Sequence, residues 1–177
     1  MLSPLNGTLP TEMSNLSSLT KLELAYLDDL SGSLPSQFAN LTSLSEFSSI
    51  HSFKDKISLP SFLSRLPTSL RRLEIFYGNF QGTFPSEIAL FQSLTDLELS
   101  GLFLTGTLPS EIGLMTELQS LRIRYLHQLV GDLPSEIGKL TNLKLLDLTC
   151  TDFQAPLPTE LARLSGLDVL SFCLCEN

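Results

Sequence analysis

The sequence contains no tryptophan, three cysteines, two histidines and only 11 basic residues against 19 acidic ones among 177 residues. With a net charge of −8, the chain lacks the basic surface that nucleic-acid phosphates require, so no nucleic-acid partner is expected. Long apolar runs are also missing, because proline, glycine, serine or a charge interrupts each one well before the roughly 20 residues of a membrane-spanning helix. This segment is therefore not expected to insert into a membrane.

Side chains that carry chemistry are sparse. His51 and His127 belong to no paired-histidine zinc motif, and no phosphate-binding glycine loop, serine nucleophile elbow or kinase signature is present. The three cysteines lack the paired C-x-x-C spacing of a zinc site. Asp96 and Glu98 are close carboxylates, but we expect both to point from one strand into solvent rather than to act as a glycosidase pair. The sequence thus predicts a non-enzymatic protein with no catalytic residue, no metal site and no cofactor.

Leucine, by contrast, makes up roughly a quarter of the chain and is arranged in an internal repeat. Each repeat has a proline preceded by leucine or phenylalanine, two apolar residues three and six positions later, and an L-x-x-L-x-L segment such as Leu94-Leu97-Leu99. Glycine stands three residues before most of these prolines. The period is about 24 to 25 residues, with prolines at Pro10, Pro35, Pro60, Pro85, Pro109, Pro134 and Pro158.

Each part of the repeat predicts a local structure. The L-x-L piece alternates with period two and indicates a short half-buried strand. The apolar pair after the proline lies on one face of a helical or 3₁₀ turn, and proline suits the first position of such a turn because its missing N–H needs no partner there. One unit cannot close a core, but stacked units bury a continuous leucine column. The sequence therefore predicts an α/β solenoid of about seven repeats, with a parallel sheet on the concave face and short turns on the convex face.

The string LTGTLPSEIG at residues 104–113 resembles the plant-type leucine-rich repeat, whose pattern is L-x-G-x-I/L-P-x-x-L/I-x-x-L. The resemblance covers residues 1–177 as a single domain and extends to receptor-kinase ectodomains, polygalacturonase-inhibiting proteins and repeats of diatoms and other stramenopiles. It implies a right-handed superhelix and a place outside the cell or at its surface, although no signal peptide is visible. Because the family's cysteine-bearing caps are missing, we expect the chain to be a fragment or a truncated gene product.

The chain departs from the family pattern in two places. The family usually has asparagine after each strand, so an asparagine ladder is expected to be largely absent here. The residues found at that place are Leu27, Gly78, Leu102, Leu126 and Thr151. The third repeat, around Pro60, lacks the glycine and carries an extra residue near Thr68 and Ser69, so we expect a local irregularity there.

Positions three, five, seven and eight of L-x-x-L-x-L-x-x are expected to project from the concave face, because side chains alternate along a strand. They form four rows. The third row contains Lys21, Glu46, Arg72, Asp96 and Ser120. The fifth row contains Glu23, Ser48, Glu74, Glu98, Arg122 and Asp147. The seventh row contains Ala25, Ile50, Phe76, Ser100 and Arg124. The eighth row contains Tyr26, His51, Tyr77, Gly101 and Tyr125.

Exposed aromatic side chains beside charges are typical of binding interfaces. We therefore predict a recognition module, possessing no activity of its own, that binds a protein, peptide or glycan on the concave face. The predicted ligand-binding residues are Tyr26, Arg72, Glu74, Phe76, Tyr77, Glu98, Arg122, Arg124 and Tyr125. Two alternatives remain open: the tyrosines only cover the edge of the sheet, or the protein is an intracellular scaffold.

Two rows of hydroxyl side chains indicate a further alternative. Thr or Ser follows every repeat proline, and another row precedes it at Thr8, Ser33, Ser58, Thr83 and Thr107. Such rows, repeated at the strand spacing of about 4.8 Å, are able to order water on an ice-binding or surface-adsorbing face. The same hydroxyls, however, are suited to cap the turns, and the glutamates that follow them make a flat neutral surface harder to form.

The cysteines fall at the end of the solenoid. Cys150 lies at position eight of the sixth strand, and Cys173 and Cys175 lie at positions seven and nine of the next one. Neighbouring parallel strands are about 4.8 Å apart, so a diagonal pair falls within the Cα separation that a disulfide spans. We predict a disulfide from Cys150 to Cys173 or Cys175 if the protein is secreted; in a reducing compartment all three would be thiols.

Overall fold

The computed structural model describes residues 7–154 and 156–173. Within these residues, short strands alternate with 3₁₀ helices from one end to the other, and one α-helix replaces a 3₁₀ helix in the third repeat. The strands are numbered β1 to β12 along the chain. This alternation of strand and turn is the order that the repeat predicts.

One parallel sheet contains the L-x-L strand of every repeat, and the strands follow the chain order from one edge to the other. Its strands are β1 (Lys21–Leu27), β2 (Glu46–Ser52), β4 (Arg72–Phe76), β6 (Asp96–Ser100), β8 (Ser120–Arg124), β10 (Leu145–Asp147) and β12 (Val169–Ser171). Two smaller parallel sheets lie beside it. One pairs β3 (Ile57–Ser58), β5 (Phe80–Thr83) and β7 (Phe103–Thr105), and the other pairs β9 (Leu126–Gly131) and β11 (Thr151–Phe153).

The strand register aligns equivalent positions of successive repeats. Leu97 pairs with Leu121, and Leu121 pairs with Leu146. These leucines are all fully buried, and their side chains form the continuous apolar column along the inside of the solenoid. The predicted solenoid and its repeat register are therefore confirmed.

In the described residues, the 3₁₀ helices follow the repeat prolines. Their bounds are Thr11–Asn15, Ser36–Asn40, Ser86–Leu90, Ser110–Leu114, Ser135–Lys139 and Thr159–Arg163. The proline is the residue before the helix, not its first residue as the sequence predicted: Pro109, for example, has an extended conformation with φ −73° and ψ 147°. Its carbonyl accepts a hydrogen bond from the Ile112 N–H at 3.1 Å. Proline thus ends the extended segment with a fixed φ and supplies the first acceptor of the turn.

The third repeat is irregular, as predicted. An α-helix, α1 (Leu59–Leu63), stands where the other repeats have a 3₁₀ helix, and Pro60 lies in its first turn. The helix directs Phe62 into the core, where the ring is fully buried. Its ring contacts those of Phe47, Phe53 and Phe80 edge to face, with centroids 4.8 to 5.7 Å apart. The third repeat therefore has a local aromatic core around this helix.

Other polar side chains replace part of the asparagine ladder that the sequence lacks. The Ser52 hydroxyl donates to the Leu24 carbonyl of the preceding repeat at 2.8 Å, and the Thr151 hydroxyl donates to the Leu148 carbonyl at 2.8 Å. Asn79 donates to two carbonyl groups of the repeat before it, at 3.0 and 3.2 Å. The buried carbonyls of Leu24 and Leu148 are thereby satisfied, which avoids the cost of leaving them unpaired.

Substitution of Gly113 by alanine is expected to lower the free energy of unfolding by about 1 to 2 kcal/mol. A Cβ at this position would lie 2.7 Å from the carbonyl oxygen of Glu136 and 2.8 Å from its Cβ, so the turns of neighbouring repeats would have to separate. Urea unfolding followed by far-UV circular dichroism measures the loss. Gly166→Ala is the matched control, because the nearest atom to its new Cβ is 4.0 Å away. Equal effects of the two substitutions would contradict the packing argument.

Candidate ligand-binding face

The rows predicted for the concave face run side by side across the large sheet. In the fifth row, Glu23 pairs with Ser48, Ser48 with Glu74, and Glu74 with Glu98. The row continues through Arg122 to Asp147. The side chains of one row are therefore neighbours in space although about 24 residues separate them in sequence.

Charged residues of β6, β8 and β10 form one ion-pair cluster on this face. A carboxylate oxygen of Glu98 lies 3.7 Å from a guanidinium nitrogen of Arg122, and its other oxygen contacts the guanidinium of Arg124. Arg124 also reaches a carboxylate oxygen of Asp147 at 3.9 Å. Arg122 in turn donates a hydrogen bond to the Ser120 hydroxyl at 2.8 Å. These contacts fix the two guanidinium groups in place.

Glu98 is buried, which corrects the expectation that it points into solvent with Asp96. Only 9% of its side chain is exposed, because the two arginines of the neighbouring strand cover it. Asp96 remains partly exposed and lies 4.0 Å from a guanidinium nitrogen of Arg72. Glu98 is thus the internal counter-ion of the cluster, and a ligand on this face would contact the arginines before it reached the carboxylate.

Three aromatic side chains of the eighth row stack on one another. The rings of Tyr26 and His51 have centroids 5.9 Å apart and an interplanar angle of 11°. The rings of His51 and Tyr77 are 5.1 Å apart with an angle of 17°. All three residues have positive φ, between 43° and 56°, so the backbone leaves the strand in the left-handed region at this position. The stack offsets part of the strain that this conformation imposes on residues other than glycine.

Gly101 interrupts the stack. Its φ is 63°, and a Cβ built on it would lie 2.3 Å from a ring carbon of Tyr77, so the tyrosine ring covers the glycine backbone. Beyond it, a cleft of about 300 Å³ opens, lined by Gly101, Leu102, Phe103, Tyr125, His127 and Gln128. Tyr125 and Phe103 are 41% and 59% exposed. The missing side chain therefore creates an apolar cleft, here named the Gly101 cleft, before the last aromatic ring of the row.

The other predicted residues lie around these two features. Arg72 is exposed, and Glu74 and Phe76 are half-buried on the neighbouring strand β4. The structure places Glu98, Arg122 and Arg124 in one cluster and joins Tyr26 to Tyr77 through His51. Tyr125 stands apart from the stack, at the Gly101 cleft. Whether these residues bind a ligand stays a prediction.

The prediction of binding residues left out His51, Gly101 and Phe103. His51 and Gly101 were visible in the eighth row, and a glycine in a row of rings is itself a signal that a cleft can form. Phe103 had no such signal, because it follows a strand at a position where apolar side chains usually turn inward. Here Leu102 and Leu104 take the inward places and leave Phe103 outside.

The hydroxyl rows do not cap the turns within the described residues, so that expectation is wrong. Ser110, Ser135 and Thr159 donate to the carboxylate of the glutamate that follows each of them, at 3.3 to 3.4 Å. In the other row, the methyl group of Thr107 packs against Gly131 of the next repeat. A Cβ added at Gly131 would lie only 2.8 Å from this methyl group. The hydroxyl groups of Ser110, Ser135 and Thr159 are thus engaged with neighbouring carboxylates, whereas the Ser33 hydroxyl has no hydrogen-bond partner among the described residues. The hydroxyl rows therefore do not share one uniform environment.

Cys150 is disulfide-bonded. Its backbone N–H donates to the carbonyl oxygen of Cys173 at 2.7 Å, which places the ends of the last two repeats side by side as the register requires. Cys175 lies outside the described residues. The choice between these two partners therefore stays a prediction.

The described residues provide neither a metal-binding group nor a membrane-spanning helix. No group of three or more histidine, cysteine, aspartate or glutamate side chains there has the spacing to hold a metal ion. None of the helices in the same residues has the length and apolar character that crossing a membrane demands.

No protein-family model matches the sequence, and no curated protein sequence matches it. Solved structures do match. The structure of the Arabidopsis receptor kinase HAESA with the peptide hormone IDA and the co-receptor SERK1 has a TM-score of 0.79 and 24% identity, over 95% of this chain and 28% of that chain. The PEPR1–AtPEP1 structure has a TM-score of 0.76 and 32% identity, over 99% and 25%. A plant ice-binding protein has a TM-score of 0.66 and 20% identity, over 97% and 70%.

The stacked strand-and-turn repeats and these structural matches define the class of the protein. The chain is a plant-type leucine-rich-repeat protein. It spans about a quarter of the length of the two receptor chains that it matches.

Proposed function

We propose that this leucine-rich-repeat solenoid is a recognition module that binds an extended peptide, or a segment of a protein, across its concave face. The observation that carries the proposal is the Gly101 cleft, in which the exposed aromatic side chains of Phe103 and Tyr125 flank an apolar opening. Tyrosine and arginine are the side chains that most often dominate binding energy. A cleft of about 300 Å³ is at the lower end of ligand-pocket sizes and suits a single apolar side chain of a ligand.

The rigidity of the sheet favours this function. Backbone hydrogen bonds hold the strands, and the ion-pair cluster holds Arg122 and Arg124, so little side-chain freedom is lost when a ligand binds. Receptor ectodomains among the matching structures support the proposal at a coarser level, since HAESA was solved with a peptide hormone. Those neighbours are binding modules, and no catalytic constellation was predicted for this chain, so we propose no enzymatic activity.

A place outside the cell or at its surface is part of the proposal. Disulfides persist in oxidising compartments and are rare in the cytosol. A disulfide at Cys150 would persist in such a compartment, in keeping with the resemblance to receptor ectodomains. A glycan ligand is less favoured, because the lining of the Gly101 cleft is mostly apolar and offers only the Tyr125 hydroxyl, His127 and Gln128 to sugar hydroxyl groups.

The proposal is tested with dodecapeptides selected from a random phage-displayed library against the purified protein. Replacing both Phe103 and Tyr125 by alanine is expected to weaken the selected peptides by about tenfold or more, since the apolar anchor site is lost. Isothermal titration calorimetry gives the dissociation constants. The melting temperature should change little, because both side chains are well exposed.

Leu90→Ala with Leu114→Ala is the matched control. These leucines are 60% and 55% exposed, and they lie on the convex side in 3₁₀ helices. The control pair is expected to leave peptide affinity unchanged. Peptides that bind the Phe103/Tyr125 variant as tightly as the unaltered protein, or that lose affinity only in the leucine variant, would refute the proposed binding face.

A further inference from the structure

A hollow of about 110 Å³ lies on strands β1, β2 and β4, away from the Gly101 cleft. Ser48, a short side chain of the fifth row, is part of its lining. The partners of Ser48 across the sheet are Glu23 on one side and Glu74 on the other, and both carry longer, charged side chains.

Polar groups without partners converge on this hollow. Ser48 is only 6% exposed, and its hydroxyl makes no hydrogen bond to a described residue. Glu46 and Glu74, which line the hollow, make no ion pair with a described residue either. Glu46 precedes Ser48 by two residues in the same strand, about 6.6 Å away along the chain, and Glu74 is one strand away at about 4.8 Å. The hydroxyl of Ser48 and the carboxylates of Glu46 and Glu74, which have no ion-pair partner among the described residues, thus line the same hollow.

The two cations on the rim are already engaged. Lys21 lies 3.3 Å from a carboxylate oxygen of Glu23, and Arg72 lies 4.0 Å from one of Asp96. Both pairs are about half exposed to solvent and so contribute little stabilisation. Lys21 and Arg72 also flank Glu46 in the strand register. With three carboxylates and these two cations in its lining, the hollow has a net formal charge of −1.

An apolar strip borders the hollow on its other side. It is formed by the seventh row, in which Ala25 pairs with Ile50 and Ile50 with Phe76. All three side chains are half-buried, and Ile50 lines the hollow. An aliphatic stem fits on such a strip, and the face of an aromatic ring attracts a nearby cation. The hollow is therefore polar at one end and apolar at the other.

We infer that the Ser48 hollow binds the cationic side chain, arginine or lysine, of the peptide recognised on the concave face. The head group lies over Ser48 between the carboxylates of Glu46 and Glu74, and the stem lies over Ile50 and Phe76. Two carboxylates on either side of a hydroxyl group suit a broad organic cation with several donors. The inference rests on the proposed function and specifies one residue type of its ligand.

The probe is the peptide acetyl-Ala-Ala-Arg-Leu-Ala-amide, with a second peptide that has citrulline in place of arginine. Citrulline has nearly the same shape but no charge. Titration of the ¹⁵N-labelled protein, followed by two-dimensional NMR, reports which backbone amides respond. The arginine peptide is expected to give saturable chemical-shift changes at the amides of β2 and its neighbours β1 and β4. The citrulline peptide is expected to bind there with a dissociation constant at least about fivefold higher.

Two variant pairs carry the same change in net charge. Glu46→Gln with Glu74→Gln removes both unpaired carboxylates and is expected to weaken the arginine peptide about fivefold. Glu87→Gln with Glu111→Gln removes two carboxylates from 3₁₀ helices on the convex side, and its affinity should match that of the unaltered protein. A third variant, Ser48→Met, fills the hollow with a neutral side chain and should abolish the shifts in β2.

Three results would overturn the inference: equal binding of the arginine and citrulline peptides, equal weakening in both glutamine pairs, or no shift at β2 amides. Equal binding of the two peptides would mean that the charge of the arginine plays no part. Equal weakening in both glutamine pairs would mean that the peptide is attracted by the overall acidity of the protein. These outcomes are separate from failure of the proposed function. Library peptides that need Phe103 and Tyr125 but show no preference for a cation would refute the inference alone.

Discussion

Replacement of Phe62 by alanine is expected to lower the free energy of unfolding by about 4 kcal/mol. The ring is fully buried, and it is the shared member of three edge-to-face contacts, with Phe47, Phe53 and Phe80. Removal of the ring leaves a cavity that α1 cannot close, because β2 of the large sheet holds Phe47 in place and β5 of a smaller sheet holds Phe80. Urea unfolding followed by far-UV circular dichroism measures the loss.

Phe103→Ala removes the same side chain from an exposed site and is the control for this measurement. Phe103 is 59% exposed, so its replacement should change stability by less than about 0.5 kcal/mol. Phe62→Leu keeps most of the volume and should cost about 1 to 1.5 kcal/mol. If Phe62→Ala destabilised the protein no more than Phe103→Ala does, the third repeat would not depend on its aromatic core.

The solenoid was predictable because one feature, the spacing of the leucines, determines both the inward face of each strand and its register. Leu97, Leu121 and Leu146 occupy the same repeat position, and a shift by one residue would expose them all. The irregular third repeat was also predictable from its missing glycine. The replacement of its turn by an α-helix was not, because the choice depends on how Phe62 packs against strands that are distant in sequence.

The candidate site was predictable as a face but not in its details. Alternation predicted which positions share a face of each strand, and the strand register aligns equivalent positions of successive repeats. The left-handed backbone at Tyr26, His51 and Tyr77 could not be inferred, since tyrosine rarely adopts positive φ outside a context that imposes it. The stack and the covering of Gly101 by Tyr77 both follow from that conformation.

The burial of Glu98 was missed for a different reason. Alternation indicates which face a side chain occupies, but it does not show what covers it. Arg122 and Arg124 belong to the next strand, and their side chains are long enough to fold back over the carboxylate. The pattern is an acidic residue in the fifth row followed, on the next strand, by two arginines on the concave face. In other repeats this pattern predicts a similar buried counter-ion.

Simultaneous replacement of Arg122 and Arg124 by methionine is therefore expected to cost about 3 kcal/mol of stability. The substitutions keep side-chain length and leave Glu98 buried without a cation, since only 9% of its side chain reaches solvent. Asp147 would be affected less, because its carboxylate also accepts hydrogen bonds from the Thr149 hydroxyl at 2.6 Å and the Thr149 N–H at 3.1 Å. Urea unfolding at neutral pH measures the effect.

A triple variant separates two contributions to this loss: the missing ion pairs of Glu98 and the cost of leaving its carboxylate buried without a cation. Adding Glu98→Met to the two arginine substitutions removes that charge and is expected to restore at least about 2 kcal/mol, because apolar side chains replace buried ion pairs at little cost when the whole group is exchanged. Lys21→Met is the control for the loss of an exposed cation. Its ion pair with Glu23 is about half exposed on both sides, so the effect should stay below about 0.5 kcal/mol.

The same variants test what the cluster contributes to binding. If its role is to hold the guanidinium groups ready for a ligand, the triple variant regains stability but not affinity for the selected peptides, because the arginines are gone. Recovery of both would mean that the cluster supports the fold and that the Gly101 cleft alone anchors the ligand. Failure to recover stability would contradict the assignment of Glu98 as the buried counter-ion, since no unpaired carboxylate would then remain in the cluster's interior to explain the loss.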